Sequence, residues 1–129
     1  MIVADTDVLI DFLAGKDPAA ERVTLELKSG FLSTTAISRF ELLAGASGER
    51  QERAIRRLLD AIPVLPLDAR AADRAALVRR ALEKKGEPIG MADSLIAGIV
   101  IEAGGILLTR NLRHFERVEG LHLSGKFPA

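Results

Sequence analysis

The stretch IVADTDVLIDFL, residues 2–13, changes its hydrophobic rhythm part-way through. Ile2 to Ala4 is a short continuous apolar run ending at Asp5, as in a strand buried on both faces. Val8, Leu9, Phe12 and Leu13 then recur at helical spacing, and Gly15 stops that helix. A buried strand running straight into a helix is how a helix-covered sheet begins.

The alternation continues outward from there. Pro18 to Lys28 reads as a second helix, with Val23 and Leu27 inward and Ser29-Gly30 ending it. Phe31 to Ser33 is a short strand, followed by a helix to Gly45 with Ile37, Phe40 and Leu43 or Ala44 on one face. From Glu49 to Ala61 the chain is strongly amphipathic, with Ile55, Leu58, Leu59 and Ile62 at i, i+3, i+4 and i+7. Pro63 to Leu67 is a strand whose two prolines place it near an edge. Asp68 caps a long helix from about Ala69 to Lys85, and Met91 to Ala103 is the most apolar helix. Ile106 to Leu108 and Leu121 to Leu123 are the fourth and fifth strands. This pattern predicts an α/β fold with a parallel sheet covered on both faces and right-handed crossovers. Sites in such sheets lie beyond the carboxyl ends of the strands, where the strand order switches.

The 129 residues suggest a single domain over 1–129, without repeats or linkers, that buries about two-thirds of its unfolded surface. Disorder does not fit a chain that is 48% hydrophobic and 28% charged. Eighteen basic and eighteen acidic residues cancel, so any nucleic-acid contact must come from a local patch. With no Cys and two His, thiolate chemistry, disulfides and His-rich zinc sites are excluded. No apolar run reaches the length of a membrane span, and no basic region precedes the first apolar stretch. A soluble cytoplasmic protein is the expectation. Lacking Tyr and Trp, it has no obvious aromatic platform for stacking bases.

Polar groups from distant segments fall at the predicted strand ends. Asp5-Thr6-Asp7 follows the first strand, Ser33-Thr34-Thr35 the second, and Thr109-Arg110-Asn111 the fourth. Glu41 lies in the second turn of a helix that starts at Ser33, Thr34 or Thr35, and Asp93 in the first turn of the helix feeding the fourth strand. Each has a plain alternative: Thr6 or Asp7 as a helix cap, Ser38 and Glu41 as a capping box, Asp93 as a complement to the helix dipole. Together they suggest more. Two carboxylates 4 Å apart repel by about 4 kcal/mol at an effective dielectric near 20. If Asp5, Glu41 and Asp93 share one cleft, either a pKa rises strongly or a cation is held. All-oxygen ligands favour Mg²⁺ or Mn²⁺, and such an ion suits phosphoester hydrolysis.

These residues resemble the PIN-domain ribonucleases, most closely the VapC-type toxins of bacterial toxin–antitoxin pairs. Four stretches carry the resemblance in the family's order: IVADTDVLIDFL, ISRFELLAG, PIGMADSLIAGIVIEAGGILLTRN and NLRHFERVEGL. Residues 15–32 and 46–87 match mainly in length and pattern. The resemblance implies a three-layer α/β/α PIN-like fold with a five-stranded parallel sheet. It further implies Mg²⁺ or Mn²⁺ in an acidic cluster, endonucleolytic cleavage of RNA, a cognate antitoxin that blocks the site, and a homodimer. Asp5, Glu41 and Asp93 match the acidic cluster, and Thr6 and Thr109 the small hydroxyl positions supporting it. Many relatives place a further acid where this chain has Asn111 or His114. Asn111 retains an amide able to hold a ligand or a water.

Arg110, Arg113 and Arg117 flank the proposed site with one acid, Glu116, among them, which points to RNA-phosphate contacts. The arginines of residues 50–57 and 70–80 alternate with acids and read as solvated helix faces. Phe12, Phe40 and the amphipathic segment 49–62 offer a groove for a partner helix, or else belong to the core. Two other functions remain open. Asp5-x-Asp7 also resembles the opening of haloacid-dehalogenase-type phosphatases, with Asp5 as nucleophile, although the later Lys and acidic pair of that family are not evident. A non-catalytic PIN-like module binding RNA or a partner is the other.

Overall fold

The structure is a computed structural model and describes residues 1–125. In chain order the elements are β1 (Ile2–Ala4), α1 (Thr6–Leu13), α2 (Ala19–Ser29), β2 (Leu32–Thr35), α3 (Ala36–Ala44), α4 (Gly48–Ala61), β3 (Val64–Leu65), α5 (Ala69–Lys84), α6 (Met91–Ala103), β4 (Ile106–Leu108), α7 (Leu112–Phe115) and β5 (His122–Leu123). All strand pairings are parallel, in the order β3-β2-β1-β4-β5. β1 is therefore central, and Ala4 pairs with both Thr34 and Leu108. The proline-flanked β3 shrinks to two residues at one edge, where a missing N–H costs no ladder bond.

Alternation along the two central strands makes the three layers. Val3 and Leu107 point to one face and pack with Val78, Leu82, Ile96 and Val100 of α5 and α6. Ala4 and Leu108 point to the other, against Val8, Leu9, Val23, Leu42 and the Ile55–Leu58–Leu59 stripe of α1 to α4. A one-residue slip would exchange the two faces, so both cores fix the register. No helix among the described residues is long and apolar enough to cross a membrane.

Two local expectations change. Ser33, Thr34 and Thr35 lie within β2, not beyond it, and all three are buried. Threonine suits a strand, and the Thr34 hydroxyl, which would be costly to bury alone, donates to the Ala4 carbonyl at 2.8 Å. Thr35 then caps α3, its Oγ1 accepting from the Ser38 N–H at 3.1 Å. The inward residues of α3 are accordingly Ser38 and Leu42, whereas Phe40 is 69% exposed. Asp68 caps α5 as expected, through the Ala71 N–H. The four-residue α7 is too short to leave a periodic signature in the sequence.

α6 crosses α5 at Gly98. A Cβ there would stand 2.6 Å from the Ala71 carbonyl oxygen and 2.7 Å from the Ala75 nitrogen. Glycine is poor in a helix interior, and this one is explained by the backbone approach it permits. That approach seats α6, and with it Asp93, against the sheet.

Candidate active site

The chain winds outward from β1 through β2 to β3, then returns to the other side for β4 and β5. The strand order thus switches between β1 and β4, and Asp5 and Thr109 emerge there side by side. Asp5, not Thr6 or Asp7, is the N-cap of α1: its Oδ1 accepts from the Thr6 N–H at 2.8 Å. The Thr109 hydroxyl donates to Asp5 Oδ2 at 2.7 Å and itself accepts from the Asn111 N–H at 3.0 Å. Asp7, one helix position on, faces the Arg110 N–H at 3.3 Å.

Asp5 is only 6% exposed. Burial, the neighbouring negative charge of Asp7 and a smaller push from Asp93 raise its carboxyl to about 7, against the pull of the Thr109 and Thr6 hydrogen bonds. Burial also raises Asp7, offset in part by the Arg110 N–H and guanidinium. The Arg110 guanidinium hydrogen-bonds the buried Asp11 carboxylate, which pushes the arginine up further. Asp7 and Asp11, four apart on α1, thus form one acidic stripe that fastens the loop after β4. The sequence reading missed Asp11, although its i, i+4 spacing from Asp7 is visible.

Glu41 reaches this cluster through hydroxyl groups. Thr6 Oγ1 lies 2.6 Å from Glu41 Oε1 and 2.8 Å from Ser38 Oγ. A threonine has one hydroxyl proton, and an ionised carboxylate only accepts. Thr6 therefore donates to Glu41, and the fully buried Ser38 donates to Thr6. Ser38 was weighed in the sequence only as a capping-box residue; its place here follows from its position one turn before Glu41.

Asp93, in the first turn of α6, faces α7, where His114 Nε2 lies 2.9 Å from its Oδ2. Arg117 does not face solvent as a free cation: its guanidinium donates to the carbonyls of His114 at 2.9 Å and Glu87 at 2.8 Å. Of the three arginines expected to meet phosphate, Arg110 and Arg117 are thus held by the protein. Arg113 is exposed and in no ion pair among the described residues. The Asn111 side chain is exposed and makes no capping bond to α7.

The acids gather in pairs rather than in one cage. Among the described residues, no three His, Asp or Glu side chains stand close enough to hold an ion between them. Thr6, Thr109 and His114 each face one of the three carboxylates, Glu41, Asp5 and Asp93 in turn. The donor set still fits a hard divalent ion. A carboxyl raised by burial and then by its acidic neighbours is one whose charge an ion would offset, and Mg²⁺ is commonly bound by one or two carboxylates plus water.

A family model described as PIN domain matches residues 2–121. The chain belongs to the PIN domain family. Among PIN proteins it is 36% identical to the tRNA(fMet)-specific endonuclease VapC of Shigella flexneri over 121 residues, 91% of each chain. It is 34% identical to ribonuclease VapC10 of Mycobacterium tuberculosis, covering 94% of this chain and 90% of that one. The PIN fold superposes on VapBC2 from Rickettsia felis, solved bound to a promoter DNA fragment, with a TM-score of 0.85, 25% identity and 96% and 98% coverage. VapBC-1 from nontypeable Haemophilus influenzae gives 0.81, at 30% identity and 96% and 97% coverage. PIN membership removes the phosphatase alternative, and Asp5, its required nucleophile, is instead the doubly hydrogen-bonded cap of α1.

Proposed function

We propose that this PIN protein is a Mg²⁺- or Mn²⁺-dependent endoribonuclease, the toxin of a toxin–antitoxin pair, acting in the cytoplasm as a homodimer. The observation that carries the reading is the buried Asp5 at the β1–β4 switch point, held by Thr109 and the Thr6 N–H with the negative charges of Asp7 and Asp93 acting on it. Relatives named as ribonucleases over nine-tenths of the chain support RNA as substrate.

Asp5 and Asp93 would hold the ion, with Glu41 reaching the same cleft from α3. When bound, the ion supplies Lewis acidity, which acidifies water and offsets charge on the phosphate. The chain's own groups set the geometry. Thr109 and the Thr6 N–H each occupy one oxygen of Asp5, leaving a further lone pair on each for a ligand. Ser38 aims the Thr6 hydroxyl, and Thr6 holds the Glu41 carboxyl by a hydrogen bond at the mouth of the cleft. Asn111 offers its exposed amide to the substrate, and Arg113 is the cation placed to meet a phosphate. Arg110 and Arg117 hold the loop that presents them. The reading is tested by cleavage of RNA with the purified chain in Mg²⁺ or Mn²⁺, its loss in EDTA, and its return on adding metal.

An antitoxin has a suitable seat. A groove of about 690 Å³ continues along the same two helices that carry Thr6 and Glu41, lined by Ile10, Leu13, Leu42, Gly45, Arg50 and Ile55 among others. It uses α4, as the amphipathic stretch suggested, but neither Phe12 nor Phe40 is part of its lining. Ile10 is 52% exposed, so Ile10→Glu leaves the fold and the cleft alone. It is expected to weaken inhibition by the antitoxin at least about tenfold, because a charge then meets an apolar helix face. Titration of RNA cleavage with antitoxin measures this, and an unchanged inhibition curve places the antitoxin elsewhere.

A further inference from the structure

We propose that His114 is a positioning residue for Asp93, held by Arg117 in its Nε2–H form, and is not a replacement metal ligand at the place where relatives carry an acid. The proposal rests on the reading of Asp93 as part of the nuclease site.

Arg117 is anchored to backbone carbonyls. Its Nε donates to the His114 carbonyl and one Nη to the Glu87 carbonyl, so the guanidinium is fixed independently of the imidazole. Its other Nη lies 3.0 Å from His114 Nδ1. A guanidinium has donors only, so Nδ1 must present its lone pair. In a neutral imidazole the single proton then sits on Nε2.

Nε2 has almost no solvent-exposed surface, and an Asp93 carboxylate oxygen lies 2.9 Å from it. The contact lies off the line of an ideal hydrogen bond. The Asp93 side chain is about a third exposed, whereas the ring stands edge-on to Phe115, with centroids 5.3 Å apart at 84°.

A histidine that binds a metal offers a lone pair from one nitrogen and donates from the other, usually to a carboxylate or carbonyl. Here the N–H side keeps such an acceptor, but the lone-pair side is already taken. A donor occupies the lone pair at Nδ1, and a carboxylate faces the proton at Nε2. Nothing is left on the ring for an ion. His114 acts on the site through Asp93, by fixing which oxygen turns inward to α7 and which outward to the cleft.

The test uses the full chain. Long-range proton–nitrogen correlation spectra of the ¹⁵N-labelled protein report the tautomer directly, with His122→Gln assigning the only other imidazole. Mn²⁺ affinity is then measured by calorimetry for wild type, His114→Leu and His114→Gln. The expected result is an Nε2–H tautomer unchanged by Mg²⁺, a loss of about tenfold in Mn²⁺ affinity for His114→Leu, and His114→Gln within about threefold of wild type, because its amide still donates. An Nδ1–H tautomer, or a Leu variant that binds Mn²⁺ like wild type, overturns the proposal. So does direct coordination of the ring, seen as a shift of a His114 ring nitrogen to that of a metal-bound nitrogen on adding diamagnetic Mg²⁺. A wild type that binds no Mn²⁺ overturns both this proposal and the nuclease reading beneath it, whereas equal binding by all three proteins overturns this one alone.

Discussion

Asp5→Asn is expected to lower RNA cleavage about 100-fold or more and, without metal, to raise the melting temperature. The two effects have one cause. Folding buries the Asp5 carboxyl beside Asp7 and lifts it from 3.8 to about 7. The folded state therefore holds the proton more tightly than the unfolded chain does. Below about pH 4 both states are protonated and the residue costs nothing. As pH rises from 4 to 7 the fold must surrender a proton it favours, and above 7 the cost is complete, on the order of 4 kcal/mol. Asparagine keeps the shape and an acceptor for the Thr6 N–H but carries no charge. The variant should match wild type near pH 4 and melt on the order of 10 °C higher at pH 8. Mn²⁺ should raise the melting temperature of wild type at pH 8 and leave the variant where it was. Thermal melts across pH, with and without Mn²⁺, check both parts. A melting difference independent of pH would contradict the buried, charge-crowded Asp5. The activity loss follows because preorganised charge in a dry site is worth factors of about 100 to 1,000.

Gly98→Ala is expected to destabilise the protein by about 2 kcal/mol or more, against the helix propensity that favours Ala by about 1 kcal/mol. The added carbon would meet the Ala71 carbonyl oxygen, the Ala75 nitrogen and the Ala75 Cβ, all within 2.8 Å. Backbone atoms in a helix cannot step aside as a side chain does, so α6 must move away from α5. Asp93 rides on α6, and its approach to His114 and to Asp5 changes with it. Urea unfolding should show a lower midpoint, and cleavage should fall in the folded fraction as well. A variant as stable as wild type would contradict the close crossing of the two helices.

How far the sequence leads depends on the range of the signal. β1, α4 and α6 were legible because short apolar runs and the Ile55–Leu58–Leu59–Ile62 spacing report burial locally. The prolines around Val64 correctly marked an edge. The buried positions of α3 were not legible, because they fall to Ser38, whose hydroxyl is needed inside, and Leu42, and not to the apolar face that carries Phe40. Buried polar groups defeat hydrophobic periodicity in this way whenever their partners come from other elements. Asp5, Glu41 and Asp93 could be named from strand ends and helix starts. The pairing of Asp93 with His114, of Arg110 with Asp11 and of Arg117 with the carbonyl groups could not, since each depends on loops meeting across the fold. For the same reason, a flanking run of three arginines looked like one phosphate surface, although two of them brace the loop.

The central claim is that the carboxylates at the end of β1 and the start of α6 cut RNA. The most direct measurement is the mapping of new 5′ ends in total cellular RNA exposed to the purified, antitoxin-free protein, in Mn²⁺ and in EDTA, beside Asp93→Asn. The account predicts metal-dependent ends at a small set of sites, absent with EDTA and absent with the variant. Ends that persist with Asp93→Asn would contradict the site, and RNA binding with no new ends would make this PIN protein a binding module rather than a nuclease.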